Sequence, residues 1–189
     1  MSKTRLHCAI AIVGKKGCGK STKLAELALN YPADRKVLIM DVNGSPAYNQ
    51  FQKVDVNDIK RLKKGKVRLM GTPTEETLNI IARDFRDGLL IAEDCTKYIE
   101  NSPTKAVKTL LVDHRMLGCD LVFTFHAIKF IPPFFWQMLS HVMICKTMEN
   151  VDTARNRNVI PNADEIIAAY LRVKASKDAY YCETVETYI

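Results

Sequence analysis

Gly14 is followed, after four intervening residues that include Gly17, by Gly19, Lys20 and Ser21. These residue types at this spacing suit the capture of a phosphate chain. Glycines let the backbone turn tightly enough for successive N–H groups to point inward at an anion. A helix starting near Lys20 adds unpaired amides and the positive end of its dipole. Lys20 brings a point charge for β- and γ-phosphates, and the Ser21 hydroxyl is placed to hold Mg²⁺. The loop of Gly14, Lys15, Lys16, Gly17, Cys18, Gly19, Lys20, Ser21 and Thr22 is therefore a P-loop, expected to bind a nucleotide.

A second chemical stretch is Leu89-Leu-Ile-Ala-Glu93-Asp94. Four apolar residues make a buried parallel strand, and two acids stand at its end. Downstream of a P-loop, such a pair supplies the carboxylate that holds Mg²⁺ and the one that orients the attacking water. Glu93 and Asp94 divide those roles, in an order that the strand alone leaves open.

A P-loop needs a buried strand before it and a helix after it. Cys8 to Val13 is the strand, and Lys20 to Asn30 is the helix, with Leu24, Leu27 and Ala28 as its apolar stripe before Tyr31-Pro32 ends it. Arg35 to Val42 reads as the next strand. It leaves Asp41 at the carboxyl edge of the sheet, where open α/β sheets bind ligands. From residue 47 to residue 70 the pattern weakens, and a short strand or two around a basic helix is as far as it goes. A helix capped by Thr72 or Thr74 then carries Leu78, Ile81, Ala82 and Phe85 on one face and ends near Gly88.

Ser102-Pro103 has the form of an N-cap followed by proline at the first helical position, opening a helix through Val107, Leu110, Leu111 and His114 that Gly118 closes. Asp120 to His126 and His141 to Cys145 are further strands. Between them a short helix after Ile131-Pro-Pro133 carries Phe134, Phe135 and Trp136, which read as packing rather than base stacking. Residues 148–161 read as a polar loop with Arg155 and Arg157. Asn162 caps a last helix from Ala163 to about Ala175, and Ala179 to Val185 is expected to pack on a sheet edge.

At 189 residues with a 47% apolar fraction, the chain fits one α/β domain, residues 1–189, with a sizeable core. The net charge of +7 suits a polyanionic partner, and Lys60, Arg61, Lys63, Lys64, Lys66 and Arg68 concentrate it. That run is either a solvated face or a nucleic-acid contact. Six cysteines show no CxxC pair and no metal-ligand spacing, which argues against a disulfide framework and for a reducing compartment. The opening residues Met1 to Arg5 lead straight into the first strand without a secretory leader, and no apolar run has the length of a membrane span. A cytoplasmic protein is expected, in a cell or in an infected one.

The order of the polar strand ends resembles the HerA/FtsK superfamily of P-loop ATPases. That superfamily includes DNA-pumping motors, viral genome-packaging ATPases and the zonula-occludens-toxin-like assembly ATPases of filamentous phages. The resemblance runs over residues 6–147: the P-loop, the strand ending in Asp41, the strand ending in Glu93-Asp94, and Arg115 and Gly118 before a strand that ends in Thr124 and His126. It implies a RecA/ASCE-like three-layer sandwich with a mainly parallel central sheet. It also implies ATP and Mg²⁺ as cofactors, DNA as partner, and a homo-oligomeric ring in which Arg115 acts as an arginine finger on a neighbouring copy. Two departures stand out: the acids come as Glu93-Asp94 where the family has Asp-Glu, and the sensor position carries His126 where it has Gln.

The resulting expectation is an ATPase that places Mg²⁺ on Ser21 and Glu93, water on Asp94 and the γ-phosphate against His126, with catalysis shared by Lys20, Glu93, Asp94, His126 and Arg115. DNA translocation during packaging or virion assembly is the implied work. A small-molecule kinase is the alternative, with Asp41 orienting an acceptor hydroxyl and residues 148–161 as a lid. A GTP switch is weaker, because only Ser176-Lys-Asp178 approaches a guanine motif.

Overall fold

Alternation along the strands decides which face of the sheet each side chain enters. In β1 (Ala9–Val13), Ala9, Ala11 and Val13 join one apolar layer while Ile12 joins the other. β2 (Lys36–Asp41) sends Leu38 and Met40 to the first layer and Val37 and Ile39 to the second. Buried on both faces, such strands read as continuous apolar runs, as parallel strands do.

The computed structural model describes residues 7–188. The leaderless opening expected for residues 1–5 lies outside the described residues. Along the chain, α1 (Lys20–Asn30) separates β1 from β2; β3 (Gln52–Lys53) and β4 (Gly65–Met70) follow. Then come α2 (Glu75–Asp84), β5 (Gly88–Ala92), α3 (Lys105–Asp113), β6 (Asp120–Phe125), α4 (Pro133–Trp136) and β7 (His141–Ile144). α5 (Ala154–Val159), α6 (Ala163–Ala175) and β8 (Glu183–Glu186) complete it. The eight strands form one sheet in the order β3-β4-β2-β5-β6-β1-β7-β8, parallel except for β8, which runs antiparallel along β7 at the edge.

Helices α2, α3, α4 and α6 pack their apolar residues on one face of the sheet, with Phe135 edge-on to Phe123 at 4.9 Å. Trp136 is fully buried there, so the aromatic run is core, as its sequence implied. The other face is covered by α1 together with Tyr31, Tyr48 and Phe51. This is the expected α/β three-layer sandwich.

The structure corrects three readings and sharpens a fourth. On α1 the inward residues are Leu24, Ala25 and Ala28, whereas Leu27 faces solvent. α3 starts later than the Ser-Pro pair implied, because the Thr104 hydroxyl accepts the Val107 N–H and makes Thr104 the cap. Residues 148–161 are not all loop: α5 forms there, capped by the Thr153 hydroxyl at 3.2 Å from the Asn156 nitrogen. Its turns are polar, with Asn156 its one buried residue and the apolar Val151 and Ile160 buried on either side, so no helical period is visible. The ambiguous stretch 47–70 holds the two strands β3 and β4 around a short turn ending in Lys60 and Arg61, as expected, except that this turn, Val56–Arg61, is 3₁₀.

Candidate nucleotide site

Parallel strands β1, β5 and β6 end along one edge, and the residues just beyond them form a cleft of about 660 Å³. Gly19, at φ 81° in the left-handed region that favours glycine, turns the chain from the loop into α1. Gly14 is required for a different reason: a Cβ there would lie 2.6 Å from Cys18 Sγ and 2.9 Å from Cys145 Cβ. α1 has no side-chain cap and no acid in its first turn, so its leading amides have no local partner for their charge. Lys20 Nζ folds back on the loop, 2.6 Å from the Gly14 carbonyl and 2.9 Å from that of Lys15.

The cleft is lined by Lys16, Gly17, Gly19, Lys20, Ser21 and Thr22, as the spacing implied. Three other loop residues lie behind it. The Gly14 and Lys15 amides donate to Phe125 and Lys146 carbonyls, at 3.1 and 2.7 Å, and so anchor the loop to β6 and β7. Cys18 is buried, its thiol set against Cys145. Cys182 Sγ also meets Cys145 Sγ at 2.6 Å, a convergence that no spacing pattern foretold.

Across the cleft, the Ser21 hydroxyl donates to Glu93 Oε1 at 2.7 Å. The Tyr48 hydroxyl donates to the same oxygen at 2.6 Å. Burial pushes the Glu93 carboxyl up from its ordinary value, against the pull of these two hydrogen bonds. Asp94 takes φ 48°, a left-handed turn that aspartate tolerates better than most residues. In a continuing strand Glu93 and Asp94 would point to opposite faces; with this turn both line the one cleft. Each is only 5% exposed.

Asp94 is held on every side but one. Its N–H donates to Thr124 Oγ1 at 2.8 Å, and Asn43 and Lys97 approach Oδ2 at 3.0 and 3.1 Å. Burial opposes its charge, but the bonds from Asn43 and Lys97 outweigh it and keep the carboxyl below the usual range. His126 Nε2 stands 2.8 Å from Oδ1 without hydrogen-bond alignment, which leaves that buried oxygen with no donor.

Of the residues singled out in the sequence, Lys20, Ser21, Glu93, Asp94, Thr124 and His126 therefore meet in one cleft. Arg115 does not join them. It is exposed in the turn before β6, at the edge where the parallel strands begin, roughly 20 Å from the cleft by the length of a six-residue strand. Asp41 reaches the carboxyl edge but is fully buried, its oxygens taken by the Ser45 amide at 2.9 Å and Arg68 at 3.0 Å. Arg68 is thereby withdrawn from the basic surface, whereas Lys60, Arg61, Lys63 and Lys64 remain exposed at the opposite edge. Tyr48 and Asn43 were missed. Asn43 follows the strand-end acid and was legible by position; Tyr48 sits in a 3₁₀ turn and gave no signal.

No protein-family model and no curated protein sequence matches the chain. Its structure does find matches. The genome packaging NTPase B204 of Sulfolobus turreted icosahedral virus 2, solved with AMP, superposes with a TM-score of 0.75 at 16% identity, covering 97% of this chain and 94% of that one. The chain has the B204 fold. The DNA-packaging ATPase B204 of Sulfolobus turreted icosahedral virus matches with a TM-score of 0.67 at 17% identity, over 95% of this chain and 92% of that one. The N-terminal domain of zonular occludens toxin from Neisseria meningitidis matches with a TM-score of 0.51 at 15% identity, over 76% of this chain and 78% of that one. These are the groups that the sequence resemblance named, so the P-loop ATPase fold expected from the motifs is the fold observed. The B204 fold puts the end of β1 and the start of α1 at the centre of the cleft. No helix among the described residues is long and apolar enough to cross a membrane.

Proposed function

We propose that the chain hydrolyses ATP to move DNA, as a packaging or assembly motor of viral type that works in a ring of copies. The observation that carries this reading is the Ser21–Glu93 contact of 2.7 Å at the mouth of the phosphate loop, with Asp94 Oδ1, which accepts no hydrogen bond, beside it. The likeness to B204, solved with ATP-γS as well as with AMP, supports it.

Ser21 Oγ and Glu93 Oε1 are hard oxygen donors that fit Mg²⁺, which takes one or two carboxylates plus substrate phosphates rather than a closed protein cage. No cage of three or more His, Cys, Asp or Glu side chains exists among the described residues. Bound there, the ion would neutralise charge on the β- and γ-phosphates. The loop amides from Lys16 to Thr22 cradle the phosphates, and Lys20 swings from the loop carbonyls to the β- and γ-oxygens. Asp94 Oδ1 accepts the proton of a water aligned with the γ-phosphorus. The water oxygen bonds to phosphorus, the β,γ-bridging bond breaks, and ADP leaves with its electron pair. Asn43, Lys97 and Thr124 hold Asp94 for this task, and His126 stands where the γ-phosphate would arrive. Arg115, far from its own cleft, serves the cleft of a neighbouring copy. The kinase alternative has lost its acceptor-orienting acid, since Asp41 is bound to Ser45 and Arg68.

The exposed cations Lys60, Arg61, Lys63 and Lys64 are assigned to the DNA backbone. DNA is therefore expected to stimulate ATP turnover at low salt. The double variant Lys63→Ala/Lys64→Ala should reduce that stimulation and lower the salt slope of DNA binding by about 2, at roughly one per phosphate contact. Turnover indifferent to DNA at low salt would remove the motor reading while leaving the nucleotide site in place.

A further inference from the structure

Tyr180 stands against the phosphate loop in a way that its sequence neighbourhood gives no reason for. Its ring lies 3.0 Å from where a Cβ on Gly19 would be, and it lines the same cleft as Lys20, Ser21 and Glu93. Yet Tyr180 is 59% exposed. Leaving a large aromatic ring half in water beside a ligand cleft is unfavourable unless something covers it.

The sheet order fixes which end of a bound nucleotide Tyr180 would meet. Glu93, Asp94 and His126 follow β5 and β6 on one side of β1; Tyr180 precedes β8, which lies on the other side, beyond β7. The carboxylates and the Ser21 hydroxyl engage the β,γ end of a triphosphate. The nucleoside end must then leave across Gly19 toward the β7–β8 side, where the tyrosine ring stands.

The backbone that carries the ring is also held in place before any ligand arrives. The Tyr180 N–H donates to Asp178 Oδ1 at 2.8 Å, and the Asp178 N–H donates to Ser176 Oγ at 3.2 Å. Lys146, at the end of β7, ties the segment and the loop together: its ammonium reaches the Val173 and Ser176 carbonyls at 2.5 Å, while its own carbonyl accepts the Lys15 N–H at 2.7 Å. The β7–β8 register, with Ile144 opposite Glu183, places Cys145 opposite Cys182 on the far side of Tyr180. Such fixing lowers the ordering cost of a stacking contact.

We infer that Tyr180 is the base platform of the nucleotide site, stacking its ring on the nucleobase. The inference rests on the proposed nucleotide-binding reading and extends it to the nucleoside end. Stacking engages the π-face of a base and makes no use of the phosphates, which separates the two claims.

The test is calorimetric titration of the full chain with Mg-ATP and, separately, with Mg-tripolyphosphate, which has the phosphates and no base. Tyr180→Ala is expected to weaken ATP by about tenfold, within the range of one aromatic–base stack. It should leave tripolyphosphate affinity unchanged, and Tyr180→Phe should bind ATP as the parent does. Because the side chain is exposed, a thermal melt of Tyr180→Ala should match that of the parent. ATP affinity unchanged in Tyr180→Ala, or an equal loss for both ligands, overturns the base platform while the phosphate site stands. A parent chain that binds neither ligand overturns the nucleotide reading and the platform with it.

Discussion

Asp94→Asn is expected to lower ATP turnover by roughly 10²–10⁴-fold, the contribution of a positioned general base. Binding of Mg-ATP should stay within about threefold of the parent, since the phosphate-facing amides and Lys20 are untouched. The size of the effect follows from which way the amide must lie. Asn43 and Lys97 both present donors to Oδ2, at 3.0 and 3.1 Å. An asparagine therefore turns its carbonyl toward them and its NH₂ into the cleft. That places a donor where the water must give up its proton, so the variant can neither accept the proton nor aim the oxygen. Single-turnover hydrolysis and calorimetric binding, measured side by side, check both halves. Equal turnover in parent and variant would take the base role away from Asp94.

Glu93→Gln should act in opposite directions on activity and on stability. Turnover is expected to fall by about 10²-fold or more, because a neutral amide is a poor partner for Mg²⁺ and its charge no longer assists the phosphates. The ligand-free protein should become more stable by about 2–4 °C in Tm, which corresponds to about 1 kcal/mol in a chain of this size. Both hydrogen bonds to Glu93 arrive at Oε1, from Ser21 and from Tyr48, so a glutamine carbonyl can accept both. What the substitution removes is a buried charge whose protonation burial already favours.

The pH dependence follows from the same raised value. The native state holds the Glu93 proton more tightly than the unfolded chain does. Stability therefore falls as pH rises from the ordinary glutamate range through the raised native value. The Tm gain of Glu93→Gln should accordingly be larger at neutral pH than near pH 4, where the unfolded chain is protonated too. Turnover in the parent should rise with pH over that window, as the carboxylate form becomes available to the ion. A Glu93→Gln melting temperature below the parent's at neutral pH would mean that the carboxylate, not the acid, is the form the fold prefers.

Local chemistry was legible in the sequence, and long-range chemistry was not. The P-loop is local: strand, glycine spacing and helix start lie within residues 9–30, and α1 runs from Lys20 to Asn30 as its pattern implied. The acids at the end of β5 were legible for the same reason, as a polar break after a buried run. By contrast, Tyr48 reaches Glu93 across 45 residues, and Asn43 reaches Asp94 across 51. Only the sheet order brings them together, and no periodicity encodes it. Tyr48 lies where 3₁₀ turns and a two-residue strand leave no repeat to read. Thr124 was legible as a polar residue near a strand end, but the bond its hydroxyl accepts from the Asp94 amide, at 2.8 Å across 30 residues, was not. The left-handed turn at Asp94 was equally invisible, and it is what brings two successive acids into one cleft.

Phosphate release from ATP by the parent chain and by Lys20→Ala, with Mg²⁺ present and at low salt, tests the central claim most directly. Lys20 is the one side-chain charge on the loop that already reaches its carbonyls, 2.6 Å from Gly14 and 2.9 Å from Lys15. The account predicts turnover by the parent and a loss of about 10²–10³-fold in the variant, in line with removal of one charge aimed at the transferring phosphoryl group. A variant as active as its parent would contradict it.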